Sequence, residues 1–437
     1  MLTKLRTSLA WLRSPYALLD QHLARGELSF RLNLPMLGNS LVTGDPAHIA
    51  AIVRNRDLIG GRGTQALRPV VGDHSLIVLE GADHERHRNL MLPHFFSADF
   101  AQYDALTRKW TQQALQGLST EPFSGMQLMA GITLNVIIEI LFGALPAARH
   151  EHAVALVKRW LASFSSPAIL FLKPLQINLG QHSGWGRFLR NRQALHHFIA
   201  DLILAADTSC PATQPAQPGQ PGFRGVLGAL LAQRRQGAIT LSDAELISQM
   251  VTFLMFGHDT SAAAMGWFFH HVWRDEACLQ ALQQEQSQPG TSGAPEQMPL
   301  LRSALFESMR LSPVVVHLTR HALCATRVGE WAVASGQRVL PCMYLAQRNP
   351  ALFPEPQRFD PRRFLQMQSK WRYGFFPFGL GNRLCAGMPF AQRQMMLLAS
   401  EVLQSVKLVL HAPESVKPTR HMVLIVPSGG PLLRVAS

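Results

Sequence analysis

One cysteine in this 437-residue chain stands in a setting that can do chemistry. Five cysteines are present, Cys210, Cys278, Cys324, Cys342 and Cys385, scattered without CxxC pairs. That spread argues against a disulfide framework or a zinc ribbon and for a reducing compartment. Cys385 lies in Phe378-Gly379-Leu380-Gly381-Asn382-Arg383-Leu384-Cys385-Ala386-Gly387. Glycines on both sides let backbone amides turn inward, and a helix is expected to begin just after. Amide donors and a helix N-terminus both favour thiolate over thiol. A thiolate serves as a nucleophile or as a metal ligand. A nucleophile wants a histidine base nearby, and this segment supplies an arginine and aromatics instead. A flat anionic cofactor, held by the thiolate from beneath with Arg383 on a carboxylate, fits better. The other four cysteines read as structural or incidental, small apolar side chains first of all.

Other constellations carry less by themselves. Glu307 and Arg310 stand at i, i+3 and face the same side of a short helix, which alone reads as a surface ion pair. The run Asp83-His84-Glu85-Arg86-His87-Arg88 misses the zinc-protease pattern H-E-x-x-H, because its second histidine comes one residue early. His196-His197 and His270-His271 show no metal-ligand spacing. Gly60-Gly61-Arg62-Gly63 lacks the strand–turn–helix setting and the later acidic partner of a dinucleotide fingerprint. No NAD(P)H or flavin domain is therefore expected, and reducing electrons would come from another protein.

The cysteine segment resembles the signature of the cytochrome P450 haem-thiolate family, F-x-x-G-x-R-x-C-x-G. Phe378, Gly381, Arg383, Cys385 and Gly387 match its fixed positions, and the resemblance covers nearly all of the chain from about Ser29. It implies haem b (iron protoporphyrin IX) with Cys385 as the axial iron ligand, cradled by Phe378 and Gly387. It also implies Arg383, His84, Arg88 and Arg320 on the haem propionates. Phe256-Gly257-His258-Asp259-Thr260-Ser261 is similar to the family's oxygen-activation segment, (A/G)-G-x-(D/E)-T-(T/S). A glycine inside a helix costs about 1 kcal/mol relative to alanine, which makes sense where the backbone opens to admit dioxygen. Asp259 and Thr260 would then manage protons. Phe256 departs from the family's small Ala or Gly and leaves the shape of the pocket open. Glu307 and Arg310 resemble the family's E-x-x-R element, and Arg358 in Pro356-Gln357-Arg358-Phe359 stands where its partner arginine is expected. These three are assigned a structural role.

The elements that must position these residues read as one mostly helical domain, 1–437, with small β-sheets at its margins. A capped helix is expected over 242–274, long enough to traverse the core over the haem. Alternation over 29–35 and 39–43 predicts a hairpin, and Asp45-Pro46 opens a helix to about Arg54. Residues 83–206 read as largely helical, and helices are also expected over 299–311 and 389–403. Short β-like runs cover 328–334 and 337–344, and 407–411 is expected to pair with 422–426. The stretch 207–222 is a Pro/Gln-rich surface linker without periodicity.

Composition bounds the rest. A 47% hydrophobic share excludes a disordered or fibrous chain. The apolar run 123–138 carries Gln127 and Asn135 and falls short of the roughly 20 residues a bilayer needs. The N-terminus reads as a short amphipathic helix rather than a signal peptide. A cytoplasmic protein without a membrane span and without a nucleic-acid partner is the expectation. Among partners for a net charge of +13, an acidic electron donor is favoured: a ferredoxin or flavodoxin-type protein with its reductase. Arg86, Arg362, Arg363, Arg372 and Arg393 would face it. The resemblance implies a monooxygenase that uses O2 to hydroxylate or otherwise oxidise a small, largely apolar organic substrate. Residues 63–78, 161–175, Phe256 and 314–318 would wall the pocket. Desaturation or oxidative coupling would share every motif up to the final chemistry. A non-catalytic haem sensor would have little need of Gly257 to Thr260.

Overall fold

The computed structural model describes residues 11, 14–34, 38–96, 100–164, 169, 173–208, 225–288, 295–412 and 416–436. Most of the 207–222 linker lies outside them. The chain is mainly helical, with small sheets at the edges. Its innermost helix is Gly125–Phe142, capped by Ser124, whose Oγ accepts from the Gln127 N–H at 3.3 Å. Ile132, Val136, Ile137, Ile140 and Leu141 are buried along it. Among the described residues it is the one helix long and apolar enough to cross a membrane. Protein covers 67% of it, as befits a core helix. It packs between the Phe100–Gln116 and Asp259–Val272 helices.

The expected long helix over 242–274 is two helices. Ser242 opens the first with a reciprocal capping box: its N–H donates to Glu245 Oε2 at 2.8 Å, and its Oγ accepts from the Glu245 N–H at 3.3 Å. That helix runs Asp243–Phe256, and a second runs Asp259–Val272. Between them Gly257 (φ −85°, ψ −12°) stays in the helical region, while His258 (φ −124°, ψ −51°) leaves it. The space at the break admits only glycine. A Cβ on Gly257 would collide with the Phe253 carbonyl and stand 3.0 Å from Ile137 of the core helix.

The expected hairpin forms between Ser29–Leu34 and Gly38–Thr43, in a register that pairs Phe30 with Val42. Its second strand runs parallel to Arg338–Pro341. That strand pairs with Arg320–Ala322, and Leu58–Ile59 completes the five-stranded sheet. Asp45 caps the following Pro46–Arg54 helix, its Oδ1 accepting from the N–H groups of Ala47 and His48 at 2.8 and 3.1 Å.

The two C-terminal strands do not pair with each other as expected. Leu408–His411 pairs with Leu432–Val435, which takes Phe123–Ser124 on its other edge. Leu424–Pro427 folds back on Pro418–His421 through a two-residue turn with Met422 at φ 55°. The nearer partner wins because closing so short a loop costs little entropy.

Candidate active site

The Cys385 loop is held open by local geometry. Gly379 and Gly381 adopt φ of +82° and +68°, a region that favours glycine. The Cys385 N–H donates to the Phe378 carbonyl at 2.9 Å. The Met388–Ser405 helix starts immediately beyond, with Gly387 as its cap. Cys385 is accessible to solvent, yet protein surrounds it closely enough for burial to push its thiol above the ordinary value. A recess opening inside the fold satisfies both. The Gly387 N–H and the charge of Arg88 pull the other way without prevailing. The amides and helix N-terminus expected to favour a thiolate do not by themselves outweigh burial. A thiol so raised, with no histidine base beside it among its described contacts, makes a poor nucleophile. A bound metal ion deprotonates a coordinating thiol outright, and the environment is compatible with a ligand role.

Arg88 lies within electrostatic reach of this sulfur, and further basic side chains lie within reach of Arg88 or of one another. Arg88 and His84 come from the Gly81–Met91 helix, Arg320 from the sheet, and Arg383 from the cysteine loop. Arg88 feels both Cys385 and Arg383, and Arg320 feels Arg383. Burial holds Arg320 down to about 10. Among the described residues its side chain bonds only to the adjacent Thr319 carbonyl, at 3.1 Å. Burial, then Arg383 and Arg88, hold His84 down to about 4, so it is a neutral donor at pH 7. One carboxylate answers this charge: Glu80 Oε2 accepts from Arg383 at 2.7 Å.

Three arginines against one glutamate leave an excess of buried positive charge, which costs free energy unless anions meet it. Arg383 Nε is buried with no partner, and a Cβ on Gly387 would meet no protein atom within 4 Å. The donor set suits a flat dianion with a thiolate beneath it, and haem has that form. Cys385 would hold the iron, Arg88, Arg320 and Arg383 the propionates, and Gly387 would leave room for the ring.

The glycine stretch 60–63 has its explanation here. A Cβ on Gly60 would stand 3.0 Å from the Arg383 side chain, and one on Gly63 would stand 2.6 Å from Thr319. Gly60 lets the chain pass close to Arg383, and Gly63 lets it pass close to Thr319.

The central-helix break carries the second group. Thr260 Oγ1 donates to the Phe256 carbonyl at 2.9 Å. Asp259 Oδ1 lies 3.2 Å from His258 Nε2. Burial pushes the Asp259 carboxyl up, but the charge and hydrogen bond of His258, with His421 beyond, bring it below its ordinary value. Asp259 and Thr260 make no direct contact with the Cys385 group among the described residues. Their helix packs against the Met388–Ser405 helix that follows the cysteine. Phe256 is half-buried and packs on the main core.

The E-x-x-R pair is buried, not superficial. Arg310 donates through Nε and Nη2 to the two Glu307 oxygens at 2.7 and 2.8 Å, and both side chains are fully enclosed. Arg358 is not their partner. Its side chain is 68% exposed and pairs with Glu355, and only its carbonyl reaches Arg310. The arginine that completes the group is Arg363, whose Nε donates to Glu307 Oε1 at 3.1 Å. Five residues of irregular chain carry that side chain inward, and no periodicity could have chosen between the two. Sequence reasoning also missed Glu80, four residues before His84, and His258, a variable position inside the oxygen-activation segment.

A helical fold that sets a lone recessed cysteine among uncompensated arginines defines a haem-thiolate protein. The chain belongs to the cytochrome P450 family, whose model matches residues 38–434, and is a haem-dependent monooxygenase. It is 27% identical over 403 residues to putative cytochrome P450 138 of Mycobacterium tuberculosis, covering 92% of this chain and 87% of that one. It is 26% identical to putative cytochrome P450 135B1 of the same organism, covering 93% and 84%. Solved structures share the fold. A retinoic acid-bound cyanobacterial CYP120A1 superposes with a TM-score of 0.83 at 20% identity, covering 98% of this chain and 96% of that one. The haem domain of cytochrome P450DA gives 0.82 at 18% identity, covering 96% and 92%.

Proposed function

We propose that this chain works as a single domain that holds haem b through Cys385. In this reading it oxidises a small, largely apolar organic substrate with O2, hydroxylation being the favoured outcome. When bound, the haem iron supplies the place where dioxygen is reduced, and a thiolate ligand favours O–O scission. The chain's own residues do the rest. Arg88, Arg320 and Arg383 neutralise the propionates, and His84 adds a neutral donor. Asp259 delivers protons toward Thr260, whose hydroxyl is held in place by the Phe256 carbonyl. The observation that carries this reading is the cluster of three arginines and one recessed cysteine with a single carboxylate among them.

Electrons come from a separate acidic donor, a ferredoxin or flavodoxin with its reductase, and the protein is cytoplasmic. Of the five arginines expected to face that donor, three are engaged elsewhere. Arg363 serves Glu307, and Arg393 holds Asp104 at 2.7 Å and also binds Glu296. Arg86 pairs with Glu245. Arg362 and Arg372 are exposed in the segment leading to the cysteine loop and are the contacts this reading assigns to the donor.

Thr260→Ala tests the oxygen-activation role. The expected result is unchanged haem binding with a several-fold smaller fraction of reductant appearing in product and the balance as peroxide. Unchanged coupling contradicts it.

A further inference from the structure

Leu76 joins the Arg383 side chain to the central helix. Its carbonyl accepts from Arg383 Nη1 at 3.2 Å, and its N–H donates to Gln249 Oε1 at 3.4 Å. Gln249 lies buried in the Asp243–Phe256 helix, and its Nε2 donates to the His74 carbonyl. A main-chain carbonyl only accepts and a main-chain N–H only donates, so these contacts fix which end of the amide is oxygen. The same Nε2 lies 3.0 Å from His87 Nδ1. That ring nitrogen therefore faces an N–H and carries no hydrogen. A neutral imidazole keeps one, which is on Nε2 and is donated to Glu245 Oε1 at 3.1 Å. Two backbone groups thus select one neutral tautomer of a side chain that is 1% exposed.

The charged and titratable groups around the ring are Arg86 and His84 from its own helix, Glu245 from the central helix and His74 from the loop. Arg86 Nη2 lies 3.0 Å from His87 Nε2 and shares Glu245 with it. Burial and then Arg86 push the imidazole below its ordinary value, against the pull of Glu245. A hydrogen on Nδ1 would set N–H against N–H. If the amide turned to meet it, its oxygen would face the His74 carbonyl and its N–H would face the Leu76 N–H. Both loop contacts would be lost together. The 2.6 Å contact between the Ser75 and Thr252 hydroxyls involves neither group, so the loop would stay beside the helix without the contacts that orient the Leu76 peptide.

We propose that His87 is a positioning residue: its neutral form holds Gln249 on the 74–79 loop, whose Leu76 and Leu79 carbonyls hold Arg383 where it meets a haem propionate. The inference rests on the assignment of Arg383 above. Acid protonates His87, frees the Leu76 peptide and loosens Arg383. Because the fold favours the neutral ring, this step lies on the acid side of about 6.5, the ordinary histidine value. The contribution of His87 is complete above that value and is lost as pH falls through the lowered one.

The test follows haem transfer from the holoenzyme to excess apomyoglobin between about pH 7.5 and about pH 5. It compares the unsubstituted protein with His87→Asn, Gln249→Glu and Arg383→Ala. Asparagine offers Oδ1 to Gln249 where Nδ1 stood and does not titrate. The unsubstituted protein is expected to lose haem several-fold faster on the acid side. His87→Asn should lack that step and match it at neutral pH. His84 is untouched in His87→Asn, so a step that survives there belongs elsewhere and overturns the proposal. Gln249→Glu places a carboxylate against the ring, which favours the imidazolium, and should move the step to higher pH. A step that does not move contradicts the proposal. Ring-nitrogen NMR of histidine-labelled ferrous–CO protein at neutral pH should show an Nε2–H imidazole that is absent from His87→Asn. If the signal lost is an Nδ1–H or doubly protonated ring, the tautomer is wrong and the proposal falls. If Arg383→Ala speeds haem loss while no step depends on His87, the proposal fails and the propionate assignment stands. If Arg383→Ala leaves haem loss unchanged, the parent assignment fails as well.

Discussion

At the scale of single residues, burial sets what each group does. Cys385 has the amide and arginine neighbours that favour a thiolate, yet burial outweighs them and the thiol is raised. Glu307 shows the converse. Its carboxylate is enclosed but accepts from Arg310, Arg363 and the Asp360 N–H. Removing one member of such a group strands a buried charge, at about 3–5 kcal/mol. Glu307→Ala should lose that much in denaturant unfolding. Arg363→Ala should lose about 1.5–3 kcal/mol, the worth of a hydrogen bond between charged groups. Arg358→Ala should stay within about 0.5 kcal/mol, as exposed positions do. If Arg358→Ala cost as much as Arg363→Ala, the assignment of the third partner would be wrong. The motif could be read in the sequence because Glu307 and Arg310 share a helix. Its third member could not, because irregular chain has no period to place Arg363.

At the scale of elements, the break between Asp243–Phe256 and Asp259–Val272 matters most. Hydrophobic periodicity runs through it without a seam, so the sequence reads as one helix. The backbone departs from it at His258, beside a Gly257 that Ile137 approaches too closely for a side chain, and no local pattern encodes that approach. The glycine itself was legible as the place where a helix must give way. Gly257→Ala should cost about 1–3 kcal/mol by overpacking and lower the thermal midpoint, with Gly257→Val lowering it further. A midpoint unchanged or raised by either would show that the neighbours of Gly257 leave room for a side chain. The capping box at Ser242 and the cap at Asp45 were legible because each is a local pattern. The partners of Leu408–His411 and Leu424–Pro427 were not, because pairing across a sheet depends on which edges the rest of the fold leaves open.

At the scale of the whole molecule, a mainly helical chain brings together groups from a helix near residue 85, a strand near 320 and a loop near 385. The fold class and the cysteine motif were both readable in advance, since one rests on periodicity and the other on fixed spacing. The net charge of +13 reads more narrowly than composition suggested, because Arg363 and Arg393 are spent inside the fold. Reduction by an acidic donor should therefore slow several-fold on charge reversal at Arg362 or Arg372, an effect that added salt weakens. Indifference to both salt and charge would leave these arginines without that role. The chemistry proposed for this chain depends on Cys385 meeting the iron. The direct measurement is the absorption spectrum of the reduced, CO-bound protein. Thiolate ligation predicts a Soret band at the long-wavelength position of haem-thiolate proteins, lost in Cys385→Ala. A band at the position of histidine-ligated haem, or one unchanged by that substitution, would contradict it.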